Sequence, residues 1–221
     1  MRVLISRTHH PVTVLGPGRR AGIWFQGCTI GCPGCMSVDT WRADPATAVD
    51  SSEILAWLDS LPVEAVDGVT ISGGEPTEQP EALAALLDGI GRWRGRRAAE
   101  RAAAGLEPPD VLVYTGREPA WLERPEAAVL AGADAVIAGP FTRELAGAAP
   151  LRGSDDQVIA VLTELGRTRY AEEVLPQRGG LQVEVVDGTV WLIGIPLPGD
   201  LARLRESAAE RGVRLRGVSW T

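Results

Sequence analysis

Three cysteines fall within eight residues, Cys28-x3-Cys32-x2-Cys35, and the other residues of the 221-residue chain include none. An odd, tightly clustered set is a poor disulfide framework and a good metal site. Stability must therefore come from an apolar core, for which 45% hydrophobic residues suffice. Gly27, Gly31 and Gly34 interleave with the cysteines, so the backbone is able to wrap closely around a metal centre. Three thiolates at short, unequal spacings suit three corners of a cubane [4Fe–4S] cluster. A cluster held by protein alone normally takes four cysteines, so one iron would be left open to an external ligand. The zinc alternative needs a fourth ligand, and neither His nor Cys lies nearby. Three buried structural thiols are the remaining alternative.

Composition narrows the chemistry further. The 22 basic residues are all Arg. Without Lys there is no Schiff-base lysine, no pyridoxal-phosphate lysine and no phosphate-loop GK[ST]. His9 and His10, side by side, are the only histidines, which argues against a histidine triad or a multi-histidine metal site. A net charge of −7 offers no global attraction for nucleic acid or anionic membranes. No apolar run approaches a membrane span, and the first residues lack the pattern of a signal peptide, so a cytoplasmic protein is expected.

Short apolar runs alternate with amphipathic segments. Ile23-Trp24-Phe25 reads as a strand entering the cysteine loop. Ile54, Trp57, Leu58 and Leu61 mark one helix face, with Asp50 and Glu53 as a cap pair and Pro62 at its end. Val69–Ile71 reads as a buried strand running into Ser72-Gly73-Gly74-Glu75-Pro76, and Leu83, Leu86, Leu87 and Ile90 mark a second helix. Val111–Tyr114 and Ala135–Ala138 read as further strands, with helical sequence between Trp121 and Leu130. This alternation predicts an α/β fold of mainly parallel strands with right-handed crossovers. Residues 92–108, rich in Arg and Ala, read as a solvated helical extension. From about residue 163 the pattern changes: Leu181–Val186 and Thr189–Ile195 flank Asp187-Gly188, a hairpin signal. A short helix with Leu201, Leu204 and Ala208 on one face follows, then a final strand over Val213–Ser219. The chain thus divides into a core domain, residues 1–162, and a β-β-α-β appendage, residues 163–221.

The cysteine motif resembles that of the radical S-adenosylmethionine (SAM) enzymes. Within them it is most similar to the activating enzymes of anaerobic ribonucleotide reductase and, more distantly, of pyruvate formate-lyase. The resemblance rests on Gly16–Arg19, Phe25–Cys28, Cys32–Cys35, Thr40-Trp41, Ser72–Pro76, Tyr114–Gly116 and Arg152–Ser154, in the family's order. It implies a partial (βα) barrel, with Cys28, Cys32 and Cys35 holding a [4Fe–4S] cluster whose open iron binds SAM. It further implies that Ser72, Gly73, Gly74 and Glu75 bind the methionyl amino group, Glu75 as a charge-assisted acceptor. Thr115, at a second strand end, would line the pocket. Arg152 would hold a carboxylate of SAM or orient the substrate, with a surface salt bridge as the competing account. Trp41, just after the cluster loop, is a candidate shield against water.

The implied activity is reductive cleavage of SAM to a 5′-deoxyadenosyl radical that installs a glycyl radical on a partner, such as anaerobic ribonucleotide reductase. A low-potential donor such as flavodoxin is implied, because the chain holds no second cluster. No side-chain acid or base is required, since the chemistry belongs to the cofactor. Met36 and Ser37, and Asp155-Asp156 after Arg152-Gly153-Ser154, depart from the family's common residues and bear on which substrate is served. Two alternatives stand: the same radical chemistry on a peptide or small molecule recognised by the appendage, and a non-catalytic iron–sulfur sensor or interaction protein.

Overall fold

The computed structural model describes residues 1–171, 175 and 180–215. Strands Arg2–Val12 (β1), Arg20–Phe25 (β2) and Ala48–Asp50 (β3) precede helix Ser51–Ser60 (α1). Gly68–Gly73 (β4), helix Pro80–Ala103 (α2), Asp110–Thr115 (β5), Ala135–Ala138 (β6) and Val158–Val161 (β7) follow, then helix Glu164–Tyr170 (α3). Leu181–Val186 (β8), Thr189–Gly194 (β9) and helix Asp200–Glu210 (α4) complete the described elements. Seven strands form one sheet in the order β3-β1-β2-β4-β5-β6-β7, while β8 and β9 pair separately. The central run β2-β4-β5-β6 is parallel, as the alternation predicts. Antiparallel strands close both sides: β1 and β3 on one, β7 on the other. The fold is mixed α/β with a sheet rich in parallel pairs.

The two sides of the central strands are both buried, as parallel strands require. Ile23, Phe25, Val69, Ile71, Val111, Val113 and Val136 pack with Ile54 and Leu58 of α1 and with Leu83, Leu86, Leu87, Ile90 and Trp93 of α2. Leu112, Ala135 and Ile137 face the opposite side with Leu151 and Tyr170. Helix α1 begins at the expected capping box, in which Asp50 accepts from Ser52 N at 2.9 Å and Glu53 accepts from Asp50 N at 3.0 Å. It stops one residue before Leu61-Pro62.

Four expectations need correction. The segment from Trp121 to Leu130 forms two 3₁₀ turns, Pro119–Glu123 and Pro125–Leu130. Pro125 forces Arg124 into extended backbone, so no single helix runs through it. The extension after residue 92 is helical to Ala103 but not wholly solvated. Trp93 and Arg101 are each 2% exposed, and Arg101 donates to the carbonyls of Val63, Val66 and Glu107. Strands β1 and β7 join the sheet although no strand is expected at either place. Of the final strand over Val213–Ser219, residues 213–215 carry no strand, and the rest lies outside the described residues. The hairpin itself forms as expected, with Asp187 at φ 50° and Gly188 at φ 75°, the left-handed pair that a tight hairpin turn uses. Among the described residues, no helix is long and apolar enough to cross a membrane.

A buried ion pair ties the core strands together below the site. Arg20 of β2 reaches Asp110 of β5 twice, at 3.0 and 2.7 Å, and donates to Thr70 of β4 at 2.6 Å. The Tyr170 hydroxyl donates to the same carboxylate. Burial works against both charges, but their attraction outweighs it: Asp110 is held below, and Arg20 above, its ordinary value. A Cβ on Gly16 would lie 2.7 Å from Arg20 Nε, so the Gly16–Arg19 motif wraps this buried guanidinium.

Candidate functional site

Residues at the C-terminal ends of the parallel strands surround a cavity of about 630 Å³. Open α/β sheets place ligands at this rim because the loops there diverge from adjacent strands. Cys28, Cys32 and Cys35 line the cavity together with Ser72, Gly73, Gly74, Glu75 and Thr115. Two stretches 37 or more residues apart in sequence are thus brought to one wall.

The cysteine loop is closed by backbone and amide side chains. Gly27 N donates to Thr40 O at 2.7 Å, and Cys28 N to Trp41 O at 2.9 Å. Gln26 Nε2 donates to Arg42 O at 2.7 Å, while Gln79 binds Leu4 N and Gln26 O. Glu78 accepts from both the backbone N–H and the hydroxyl of Thr29. Sequence reasoning named Gln26 only as part of the Phe25–Cys28 stretch and missed Glu78 and Gln79, whose signal was only that they follow the Ser72–Pro76 motif.

Gly73 and Gly74 line the cavity and also allow a close approach within the chain. Gly73 has φ +103°, and a Cβ there would lie 2.5 Å from the backbone of Phe25. A Cβ on Gly74 would fall 2.1 Å from Gly27 O. The paired glycines let the end of β4 pack directly on the start of the cysteine loop. Glu75 N then donates to Gly27 O at 2.8 Å.

Glu75 is 1% exposed overall and organises the rim. Its Oε1 accepts from Thr77 N, Thr77 Oγ1 and Thr115 Oγ1 at 3.0, 2.7 and 2.8 Å, and its Oε2 accepts from Gly116 N at 2.7 Å. Each carboxylate oxygen offers about two lone pairs. Oε1 is saturated, whereas Oε2 retains capacity for one more donor. Thr115 therefore acts on the site through Glu75, fixing its carboxylate.

Arg152 is not among the residues lining the cavity. Its Nη1 donates to Gln157 O at 3.3 Å, and its Nε is buried without a hydrogen-bond partner. Trp41 likewise contributes its carbonyl rather than its ring to the loop, and does not line the cavity. His9 and His10 are half-buried in β1, not solvent-facing. His9 lies 3.7 Å from Glu184 and edge-on to Trp191, and His10 Nε2 sits 2.9 Å from Ala65 O. Neither lines the cavity.

The donor set fits an iron–sulfur cluster. Three thiols share the cavity, with no fourth cysteine or histidine among the described lining residues. Burial pushes the Cys28 and Cys32 thiols up, and the nearby Glu75 carboxylate adds to this. Ionised thiolates at this place therefore need a cationic centre, which iron supplies. Ser37 N, 3.3 Å from Cys35 Sγ, is the kind of backbone donor that tunes a cluster sulfur.

Similarity to known proteins covers the residues that build this site. A family model described as "4Fe-4S single cluster domain" matches residues 14–160. The chain is 27% identical over 156 residues to the "Anaerobic ribonucleoside-triphosphate reductase-activating protein" of Escherichia coli K12, covering 68% of this chain and 94% of the relative. The protein of the same description from Vibrio cholerae is 29% identical over the same shares. A "Pyruvate formate-lyase-activating enzyme" from Clostridium pasteurianum is 37% identical over 75 residues, covering 33% of this chain and 32% of that enzyme. The chain belongs to the 4Fe-4S single cluster domain family, among the radical SAM proteins whose cofactors are a [4Fe–4S] cluster and SAM.

Proposed function

We propose that the protein is a glycyl-radical-activating enzyme, converting a glycine Cα–H of a partner enzyme such as anaerobic ribonucleotide reductase to a glycyl radical. A bound cluster, given one electron by a donor such as flavodoxin, would supply the electron that splits SAM into methionine and a 5′-deoxyadenosyl radical, and hydrogen transfer from the glycine would leave 5′-deoxyadenosine and the glycyl radical. Everything else falls to the chain's residues. Cys28, Cys32 and Cys35 would hold the cluster through their thiolates, and Oε2 of Glu75, which accepts one hydrogen bond within the chain, would accept another from the methionyl amino group. Ser72 to Gly74 form the floor between Glu75 and the cysteine loop, and the apolar lining excludes water. The observation that carries this reading is the convergence of the three cysteines and the Ser72–Glu75 turn on one cavity. The names of the relatives support the choice of partner.

A second reading keeps the radical chemistry and changes the substrate. Residues from Leu192 to Arg205 also line the cavity, although they lie beyond the matched residues 14–160. The region after residue 163, as a recognition appendage on the 1–162 core, would then select a peptide or small molecule. Anaerobic reconstitution with iron and sulfide, followed by dithionite and SAM, tests both. 5′-Deoxyadenosine is expected from the wild type and none from Cys32→Ala. A glycyl-radical resonance on added ribonucleotide reductase decides for the first reading, and its absence despite SAM cleavage decides for the second. A cluster that forms yet leaves SAM intact with every reductant would leave only the sensor alternative.

A further inference from the structure

The strand-end cavity has a neighbour. A second cavity, of about 740 Å³, lies between β1, the segment after the cysteine loop and β9. Trp24, Met36, Ser37, Leu192 and Ile193 line both cavities, so they form the partition between them. One half of the partition belongs to β2 and the exit of the cysteine loop, the other to β9. The spacing of these halves sets the width of the cavity in which SAM and a partner's segment have to meet.

Arg7 of β1 ties the two halves together. Its guanidinium pairs with Asp39, in the 3₁₀ turn Val38–Thr40 that follows the cysteine loop. Its Cζ also lies 5.4 Å from the centroid of the Trp191 ring on β9, within reach of a cation–π contact. A planar guanidinium does both at once, donating along its edge and stacking through its face. The turn it holds is the one that closes the cysteine loop. Asp39 O accepts from Gln26 Nε2 at 3.2 Å, and Thr40 O from Gly27 N at 2.7 Å. One side chain thus connects the hairpin to the backbone that adjoins Cys28. Arg7 lines the second cavity and not the strand-end cavity, so it acts on the site through its neighbours.

We infer that Arg7 is a positioning residue: by clamping Trp191 and Asp39 it fixes β9 against the exit of the cysteine loop, and so sets where a partner's glycine lies beside SAM. The placing of the glycine rests on the glycyl-radical reading. Hydrogen transfer from a glycine in place gives one glycyl radical for each 5′-deoxyadenosine. A glycine out of reach leaves 5′-deoxyadenosine without the glycyl radical, its hydrogen drawn from another C–H bond or from the reductant. The test uses the cluster-reconstituted protein and two readouts. Amide hydrogen exchange over β8 and β9, without SAM or reductant, is expected to quicken about threefold or more in Arg7→Gln, with α1 and β4 unchanged. With dithionite, SAM and anaerobic ribonucleotide reductase, its ratio of 5′-deoxyadenosine to glycyl radical is expected to rise about fivefold or more, while partner-free SAM cleavage stays as in wild type. The melting temperature is expected to hold, because partly exposed ion pairs contribute little to global stability. Arg7→Lys, which keeps a cation but loses the planar group, is expected to fall between. Arg92→Gln, which breaks an exposed pair with Asp88 on α2, is expected to match wild type in both readouts. An unchanged ratio in Arg7→Gln overturns the inference, whether or not exchange quickens. So does a loss of cluster or of partner-free cleavage, which would make Arg7 a prop of the cysteine loop alone. If wild type cleaves SAM but makes no glycyl radical, the activase reading fails, while the exchange result still decides whether Arg7 holds the hairpin.

Discussion

Adding one methyl group at Gly74 would drive a carbon to 2.1 Å from Gly27 O, where the obstacle is backbone and cannot swing aside. The strand end must then retreat from the cysteine loop, taking Glu75 N away from the carbonyl it binds. Gly74→Ala is therefore expected to lower unfolding free energy by about 1–3 kcal/mol, the range of overpacking. It should also lower iron retained after anaerobic reconstitution, measured by metal analysis, whereas Gly91→Ala, with open space around it, should do neither. Sequence alone pointed to Gly73 and Gly74 as part of the SAM-binding turn. The structure adds a close neighbour within the chain, the backbone of Phe25 and Gly27, because parallel strands β2 and β4 end side by side. The grip of Ser154 and Asp156 on Thr142 was illegible for a related reason: the partners lie 12 and 14 positions away. Periodicity carries no trace of such contacts.

Among the elements, β5 carries both ends of the argument: Asp110 at its start binds Arg20, and Thr115 at its end binds Glu75. Removing one member of a buried pair strands the other charge. Asp110→Asn should accordingly destabilise the protein by about 3–5 kcal/mol in urea unfolding. The pH dependence follows from the depressed native value of Asp110, where burial opposes and Arg20 more than offsets. A depressed carboxylate contributes stability that is full above its ordinary value, 3.8, and is lost as pH falls toward the native value. Wild-type stability should therefore decline below about pH 4, and in Asp110→Asn the decline should be shallower. An equal acid slope in both would show that other carboxylates, such as Asp67, carry the effect. The alternation of apolar runs and amphipathic stripes made β4, β5, β6, α1 and α2 legible, since each buries a continuous face. Strand β1 escaped notice because its polar residues are only half covered: Arg7, Thr8 and His9 sit at the sheet's margin. Strand β7 is four residues long and partly exposed, too short to show a period.

The whole molecule places a covalently distant unit over the site. Hairpin β8-β9 leans on β1 through Gln182, which binds Pro11 O and Thr13 N, and through Trp191, which lies under Arg7 and beside His9. Its inner residue Ile193 packs with Val12, Leu15 and Trp24, and the residues after it form a wall of the cavity. If this wall positions the partner's glycine rather than SAM, loosening it should separate two activities that a damaged cluster site would lose together. Trp191→Ala removes the ring that meets Arg7 and His9. Cluster content and partner-free 5′-deoxyadenosine formation are expected to stay within about threefold of wild type. Glycyl-radical yield on the partner, counted by electron paramagnetic resonance, is expected to fall about tenfold or more, because a reacting hydrogen displaced by an ångström or so is costly to reach. A parallel fall in both would assign the wall to SAM binding. No fall in either would mean that the hairpin holds its place without this ring.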